Sequence, residues 1–329
     1  MNDSAPLVFA LNASRDFGQA VARQLGLKLA AHEEREFEDG EHKVRPLVNA
    51  RNREVFVIHS LYADPEQTVN DKLCRLLFFI AALRDASASR ITAVIPYLAY
   101  ARKDKKSQTR DPVTTRYVAQ LIEAAGADRV LTLETHNLAA FQNAFRIPTD
   151  HLDSRLLFAD HFAEMLKDRS KVTVVSPDLG GTKRADAFRE TLQHRLQREV
   201  FSGFMEKTRA LGVMTAGRIV GDLAGSTSII LDDLISTGGT IAKAARACKD
   251  SGALEVHAAA THGVFVGKAG DVLASDDIER IVVSNTIPPF RLPADLVAEK
   301  VTLLPAENLI AEAVRRISSG ESIVELLEP

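Results

Sequence analysis

The stretch at 228–240, SIILDDLISTGGT, constrains the fold of this chain more than any other. Ile229, Ile230 and Leu231 form a short apolar run, the pattern of a strand buried in a parallel sheet. Two carboxylates follow, Asp232 and Asp233. Then come Ser236, Thr237, Gly238, Gly239 and Thr240, leading into IAKAARACKD, which has helical period and strong helix formers. Strand, acidic pair, small polar turn and helix together suit a sugar that carries a phosphate. Glycines let the backbone approach a phosphate, N–H groups point at it, and the helix dipole favours its charge. Adjacent carboxylates repel a phosphate but accept hydrogen bonds from vicinal hydroxyls. The plain alternative is an ordinary strand–turn–helix corner with Ser or Thr as its N-cap.

Bulk properties narrow the class. A chain of 329 residues suggests two domains. A formal net charge of −3 gives no hint of a nucleic-acid partner. Tryptophan is absent and aromatics are few, which argues against a base-stacking surface. Cys74 and Cys248 lack metal-ligand spacing and read as buried free thiols. No apolar run is long enough to span a membrane, and MNDSAPLVFALN does not read as a signal peptide. The expectation is a cytoplasmic protein with no membrane partner. No G-x-x-x-x-G-K-[ST] loop is present, so any ATP site must be of another design.

Elements alternate along the chain. LVFALN (7–12) reads as a strand, with Ser14 capping the helix after it. EREFEDGEHKVR (34–45) reads as an acidic hairpin with an Asp-Gly turn. EVFVIHS (54–60) is a strand, and 69–83 is helical by its three-and-four spacing. RITAVIPYLAY (90–100) is a buried strand that runs into a charged loop, ARKDKKSQTRD; ligands of open α/β sheets lie beyond such strand ends. Pro112 starts a helix that Gly126 ends. RVLTLETH (129–136) is a strand with Glu134 and His136 on one face at its carboxyl end, a pairing that suits a metal or phosphate. KVTVVSPDLGGTKR (171–184) repeats the strand–Pro–polar loop logic, with Asp178, Gly180 and Gly181 in a turn fit for a phosphate and a metal. MEKTRALGVMTAG reads as a mobile loop carrying Lys207 and Arg209. A C-terminal helix carries Ile310, Val314 and Ile317 on one face. The expected domains are 1–152 and 153–306, with the helix in 307–329 packed on the first.

With these motifs in view, the chain resembles the ribose-phosphate pyrophosphokinase (phosphoribosyl pyrophosphate synthetase) family over nearly its whole length. The resemblance implies an α/β fold of two tandem type I phosphoribosyltransferase-like domains, each a mainly parallel sheet flanked by helices. FEDGE resembles the family's Phe-x-Asp-Gly-Glu hairpin, which puts Phe37, Asp39, Gly40 and Glu41 at the ATP of a neighbouring subunit. YARKDKK is similar to its Tyr-Ala-Arg-Gln-Asp-Arg-Lys, with Arg102, Lys103 and Asp104 at ATP. TLETH and SPDLGGTKR imply metal roles for His136 and Asp178. MEKTR implies catalytic roles for Lys207 and Arg209. LDDLISTGGT implies ribose 5-phosphate binding by Asp232, Asp233, Ser236, Thr237, Gly238, Gly239 and Thr240, with Arg209. The implied cofactor is Mg2+, and the implied assembly is a dimer at least, with a hexamer expected. Lys103 stands where the family has Gln, and Glu134 where it has Asp. Asn49 replaces the serine of a serine–arginine pair at the family's regulatory phosphate and ADP site, while Arg51 is kept. A phosphoribosyltransferase leaves FEDGE and YARKDKK unexplained. A non-catalytic regulatory subunit leaves the retention of Lys207 and Arg209 unexplained.

Overall fold

The computed structural model describes residues 5–206, 209–210, 213–214 and 218–328. The chain divides into two compact units, Met1–Asp153 with Glu307–Glu328, and Ser154–Ala306. Among the described residues, no helix is long and apolar enough to cross a membrane.

The first unit runs β1 (Leu7–Ala10), α1 (Arg15–Gln24), β2 (His32–Glu36), β3 (His42–Pro46), β4 (Glu54–Ile58), α2 (Val69–Asp85), β5 (Arg90–Ile95), α3 (Thr114–Ala124), β6 (Arg129–Leu133), α4 (Leu138–Ala144) and β7 (Thr149–Leu152). Its sheet has the order β1-β4-β5-β6-β7, every pair parallel. Val55, Phe56, Val57 and Ile58 are all wholly buried, so β4 is covered on both faces, as a central parallel strand must be. A reciprocal capping box between Thr68 and Asp71 starts α2. Ser14 precedes α1 but does not cap it: its Oγ accepts from the Ser60 N–H at 3.0 Å and meets His59 Nδ1 at 3.1 Å. Strands β2 and β3 form a separate antiparallel hairpin, from His32↔Pro46 to Glu36↔His42.

The second unit runs α5 (Arg155–Leu166), β8 (Val172–Ser176), α6 (Thr182–Leu196), β9 (Phe201–Glu206), β10 (Arg209–Ala210), β11 (Val213–Met214), β12 (Arg218–Val220), β13 (Thr227–Ile235), α7 (Gly239–Asp250), β14 (Glu255–Gly263), α8 (Ala269–Leu273), β15 (Arg280–Ser284), α9 (Ala294–Lys300) and β16 (Val301–Leu304). Its sheet order is β12-β9-β8-β13-β14-β15-β16, parallel except where β12 meets β9. The last helix, α10 (Glu307–Ser319), belongs to the first unit and packs against α1. Ser318 Oγ donates to Glu54 Oε2 at 2.7 Å, at the start of β4.

Candidate active site

Parallel strands deliver their following loops to one edge of the sheet. In the second unit, β8 and β13 are paired neighbours, so the Asp178 turn and the 236–240 turn leave the sheet side by side. Strand β13 is longer than its apolar core suggests and carries both aspartates within it. Asp233 is buried and Asp232 half-buried. Burial, and then the Asp233 carboxylate beside it, push the Asp232 carboxyl up to about 7. The Asp233 N–H donates to Asp232 Oδ1 at 2.9 Å, and Arg184 of α6 places Nη1 3.8 Å from Asp233 Oδ1.

The two turns differ in what their N–H groups do. Asp178 is extended, and its Oδ1 accepts from the N–H groups of Gly180 at 2.9 Å and Gly181 at 3.1 Å. Those donors were expected to be open to a phosphate; their own aspartate holds them instead. The 236–240 turn is the opposite case. Gly238 takes a left-handed conformation at φ 78° just before α7, and no side chain caps the helix. Ser and Thr are therefore not the N-cap here. Among the described residues no acceptor meets the N–H groups of Thr237, Gly238 or Gly239. They are the orphan donors of a helix start, ready for an anion.

In the first unit, the loops after β5 and β6 come together. Asp104 Oδ2 accepts from Asn137 Nδ2 at 2.7 Å, next to His136. Asn137 also caps α4 through the Ala140 N–H at 3.1 Å. Lys103 does not extend into the open: its Nζ lies 2.5 Å from Asp111 Oδ2 and 3.0 Å from Ser107 Oγ. This cation, with hydrogen bonds from Ser107 and Gln108, holds the Asp111 carboxyl well below the usual carboxylate range. Lys103 thus closes its own loop. Arg102 is exposed and, among the described residues, has no ion pair. Tyr100, Arg110 and Glu134 all have positive φ, at 63°, 67° and 49°. Such backbone is costly for side chains other than glycine and recurs where a loop is held for function.

The strand reading of Glu134 and His136 is corrected by the same geometry. Strand β6 ends at Leu133 and Glu134 turns left-handed, so alternation no longer relates the two residues. Glu134 is buried and His136 exposed. His136 lies in the first unit and Asp178 in the second.

The hairpin tip is a loop of three residues, 38–40, rather than a two-residue Asp-Gly turn. Phe37 N–H donates to the Glu41 carbonyl at 2.7 Å, Gly40 N–H to the Phe37 carbonyl at 3.0 Å, and Gly40 has φ 86°. Asp39 Oδ1 accepts from the Glu41 N–H at 3.0 Å. Phe37 is 40% exposed, with the Arg35 guanidinium 5.1 Å over its ring. Lys207 lies outside the described residues; Arg209 is described by its backbone alone, paired with Met214. Sequence reasoning missed Asn137, Asp111 and Arg184. The first two carry local signals, an Asn before a helical run and an Asp before Pro112; Arg184 carries none.

A two-unit parallel α/β chain with a carboxylate pair and an anion-ready turn at the end of β13 suits an enzyme that handles phosphorylated sugars. Residues 7–126 match the family model of the N-terminal domain of ribose phosphate pyrophosphokinase, and residues 213–328 that of the phosphoribosyl synthetase-associated domain. A ribose-phosphate pyrophosphokinase of Caldanaerobacter subterraneus subsp. tengcongensis is 41% identical over 97% of this chain and 96% of its own. One from Hyphomonas neptunium is 39% identical over 98% of this chain and 99% of its own. The crystal structure of phosphoribosylpyrophosphate synthetase from Mycobacterium smegmatis superposes with a TM-score of 0.85 at 35% identity, covering 95% of this chain and 99% of that one. The chain belongs to the ribose-phosphate pyrophosphokinase family.

Proposed function

We propose that the two strand-end sites divide the substrates of the family reaction. That reaction moves the β,γ-diphosphoryl group of ATP to the anomeric hydroxyl of ribose 5-phosphate, giving 5-phosphoribosyl 1-diphosphate and AMP. The observation that carries the assignment is the end of β13, where two carboxylates precede a turn with unspent N–H groups. The turn at 236–240 holds the 5-phosphate, and Asp232 and Asp233 orient the ribose hydroxyls. Arg102 and Asp104 of the first unit, with Phe37, Asp39 and Glu41 from the hairpin of a second copy, hold ATP. Lys103 supports that loop rather than touching the nucleotide.

The sugar oxygen attacks the β-phosphorus as the bond from that phosphorus to the AMP oxygen breaks. Catalysis of this kind is mainly positioning and charge stabilisation. Lys207 and Arg209 supply positive charge to the group in flight. Among the described residues, no three His, Cys, Asp or Glu side chains gather into a metal cage. That fits Mg2+, which commonly takes many of its ligands from phosphates and water. Asp178 at the second unit's strand end and His136 at the first unit's would each offer a protein-side ligand to Mg2+, which would supply charge neutralisation to phosphate oxygens. Use of ATP as donor is in keeping with the proposed cytoplasmic location.

The test is the purified chain alone with ATP, Mg2+ and ribose 5-phosphate, in the absence of any nucleobase. AMP should accumulate in step with the sugar diphosphate. Turnover only on addition of a base, or none at all, would contradict the proposal.

A further inference from the structure

The hairpin of β2 and β3 pairs with no other strand among the described residues. An isolated two-stranded hairpin is marginal in water, so side chains must set its pose. Alternation puts His32, Glu34 and Glu36 of β2 on one face, with Val44 and His42 of β3 opposite them in register. That face lies on α2. Val44 is buried in the core, and the His32 ring lies 5.4 Å from that of Phe79. The last pair before the turn, Glu36↔His42, is gripped on both strands. Arg75 Nη2 reaches Glu36 Oε2 at 2.7 Å, and its Nη1 lies 3.9 Å from Glu34 Oε2. Phe78 stacks on His42 with ring centroids 5.2 Å apart and planes 23° apart. Arg75 and Phe78 are one turn apart on α2, so a single helical step holds both strands where the turn begins.

We infer that Arg75 and Phe78 form a clamp that positions the 37–41 turn, and through it the nucleotide. Neither residue is needed at the reacting atoms. Phe78 is 55% exposed, a large apolar ring outside the core that lies against His42. Arg75 is 5% exposed, and a charge-assisted bond from a shielded guanidinium fixes its partner more tightly than a surface pair does. Among the described residues, the outward Glu33, Lys43 and Arg45 form ion pairs only with each other, within the hairpin, and so leave its orientation open. The nucleotide consequence rests on the assignment of the 37–41 turn to ATP.

Because the chain has no tryptophan, Glu38→Trp places a single tryptophan at the exposed tip, excited apart from the tyrosines. In that background, Arg75→Met and Glu36→Gln should each add fast depolarisation to the tryptophan anisotropy. The KM for ATP should rise about tenfold, the scale of losing one hydrogen bond to a charged group, with the KM for ribose 5-phosphate near normal. Arg75→Lys should restore part of both. Glu36→Gln acts on a side chain that is 62% exposed, so it reports even if Arg75→Met does not fold. Folded variants with an unchanged anisotropy decay would overturn the clamp. A looser tip with a normal ATP KM would also overturn the positioning role, provided Phe37→Ala raises that KM. If Phe37→Ala is silent too, the clamp stands and the ATP assignment of the turn is what fails.

Discussion

Asp232 departs far from the ordinary behaviour of its residue type. Its carboxyl is pushed from 3.8 up to about 7, by burial first and by Asp233 second. A carboxyl raised in the folded state binds its proton more tightly there than in the unfolded chain. Its contribution to stability is therefore complete below about pH 4 and is lost as the pH rises through about 7. Asp232→Asn removes that loss. The variant should match the native chain below pH 4 in thermal melts and pull ahead between pH 4 and 7. The gap should reach about 1–3 kcal/mol, discounted from a full shift because water reaches the site. Parallel melting curves across that range would contradict the assignment. Under the proposed ribose role, ionised Asp232 is the stronger acceptor for hydroxyls, so the same ionisation that would favour sugar binding lowers folding stability.

The elements show why sequence reading succeeded in one place and failed in another. Strand β13, the turn and α7 were legible because an apolar run, Gly-Gly and a helical period each have a local cause. The split of the N–H groups was not legible. Nothing in the letters says that Asp178 folds back on its own turn while Ser236, Thr237 and Thr240 leave theirs uncapped. The end of β6 was misread because alternation was extended past Leu133, where Glu134 leaves the strand. Cys74 was misread as buried: it is exposed, whereas Cys248 is buried with its thiol pushed up to about 12 by burial. Gly238 offers a sharp test of the turn. Its φ of 78° suits glycine, and a Cβ there would stand 3.0 Å from Leu273 Cγ. Gly238→Ala should cost about 1–3 kcal/mol in stability by differential scanning calorimetry, from left-handed strain. It should weaken ribose 5-phosphate more than ATP. A melting temperature and sugar-phosphate affinity equal to the native values would show that the turn tolerates another conformation.

At the scale of the whole molecule, the question is regulation. Asn49 stands where the resemblance expects a serine, and its Oδ1 accepts from the Arg51 N–H at 3.0 Å. The side chain is spent on a local turn and presents no hydroxyl. Activation by inorganic phosphate should be weak or absent beyond an ionic-strength effect. Initial rates in phosphate and in chloride at equal ionic strength check this, and a rate that depends on phosphate specifically would refute it. A hairpin that serves the ATP of a neighbour also requires self-association. The chain should therefore sediment as a dimer or larger while active.

The division of labour at the end of β13 is tested most directly by calorimetric titration of ribose 5-phosphate and its 2-deoxy and 3-deoxy analogues. Each is titrated into the native chain and into Asp233→Asn. Hydrogen bonds to charged groups are worth about 1.5–3 kcal/mol, so the native chain should bind at least one deoxy sugar about ten- to a hundredfold more weakly than the parent. In Asp233→Asn the parent should weaken by a similar factor and that deoxy penalty should shrink, because the missing hydroxyl and the missing charge are the two ends of one bond. ATP analogue binding should be unchanged. A deoxy penalty that survives intact in both Asp233→Asn and Asp232→Asn would mean that the carboxylates do not hold the ribose.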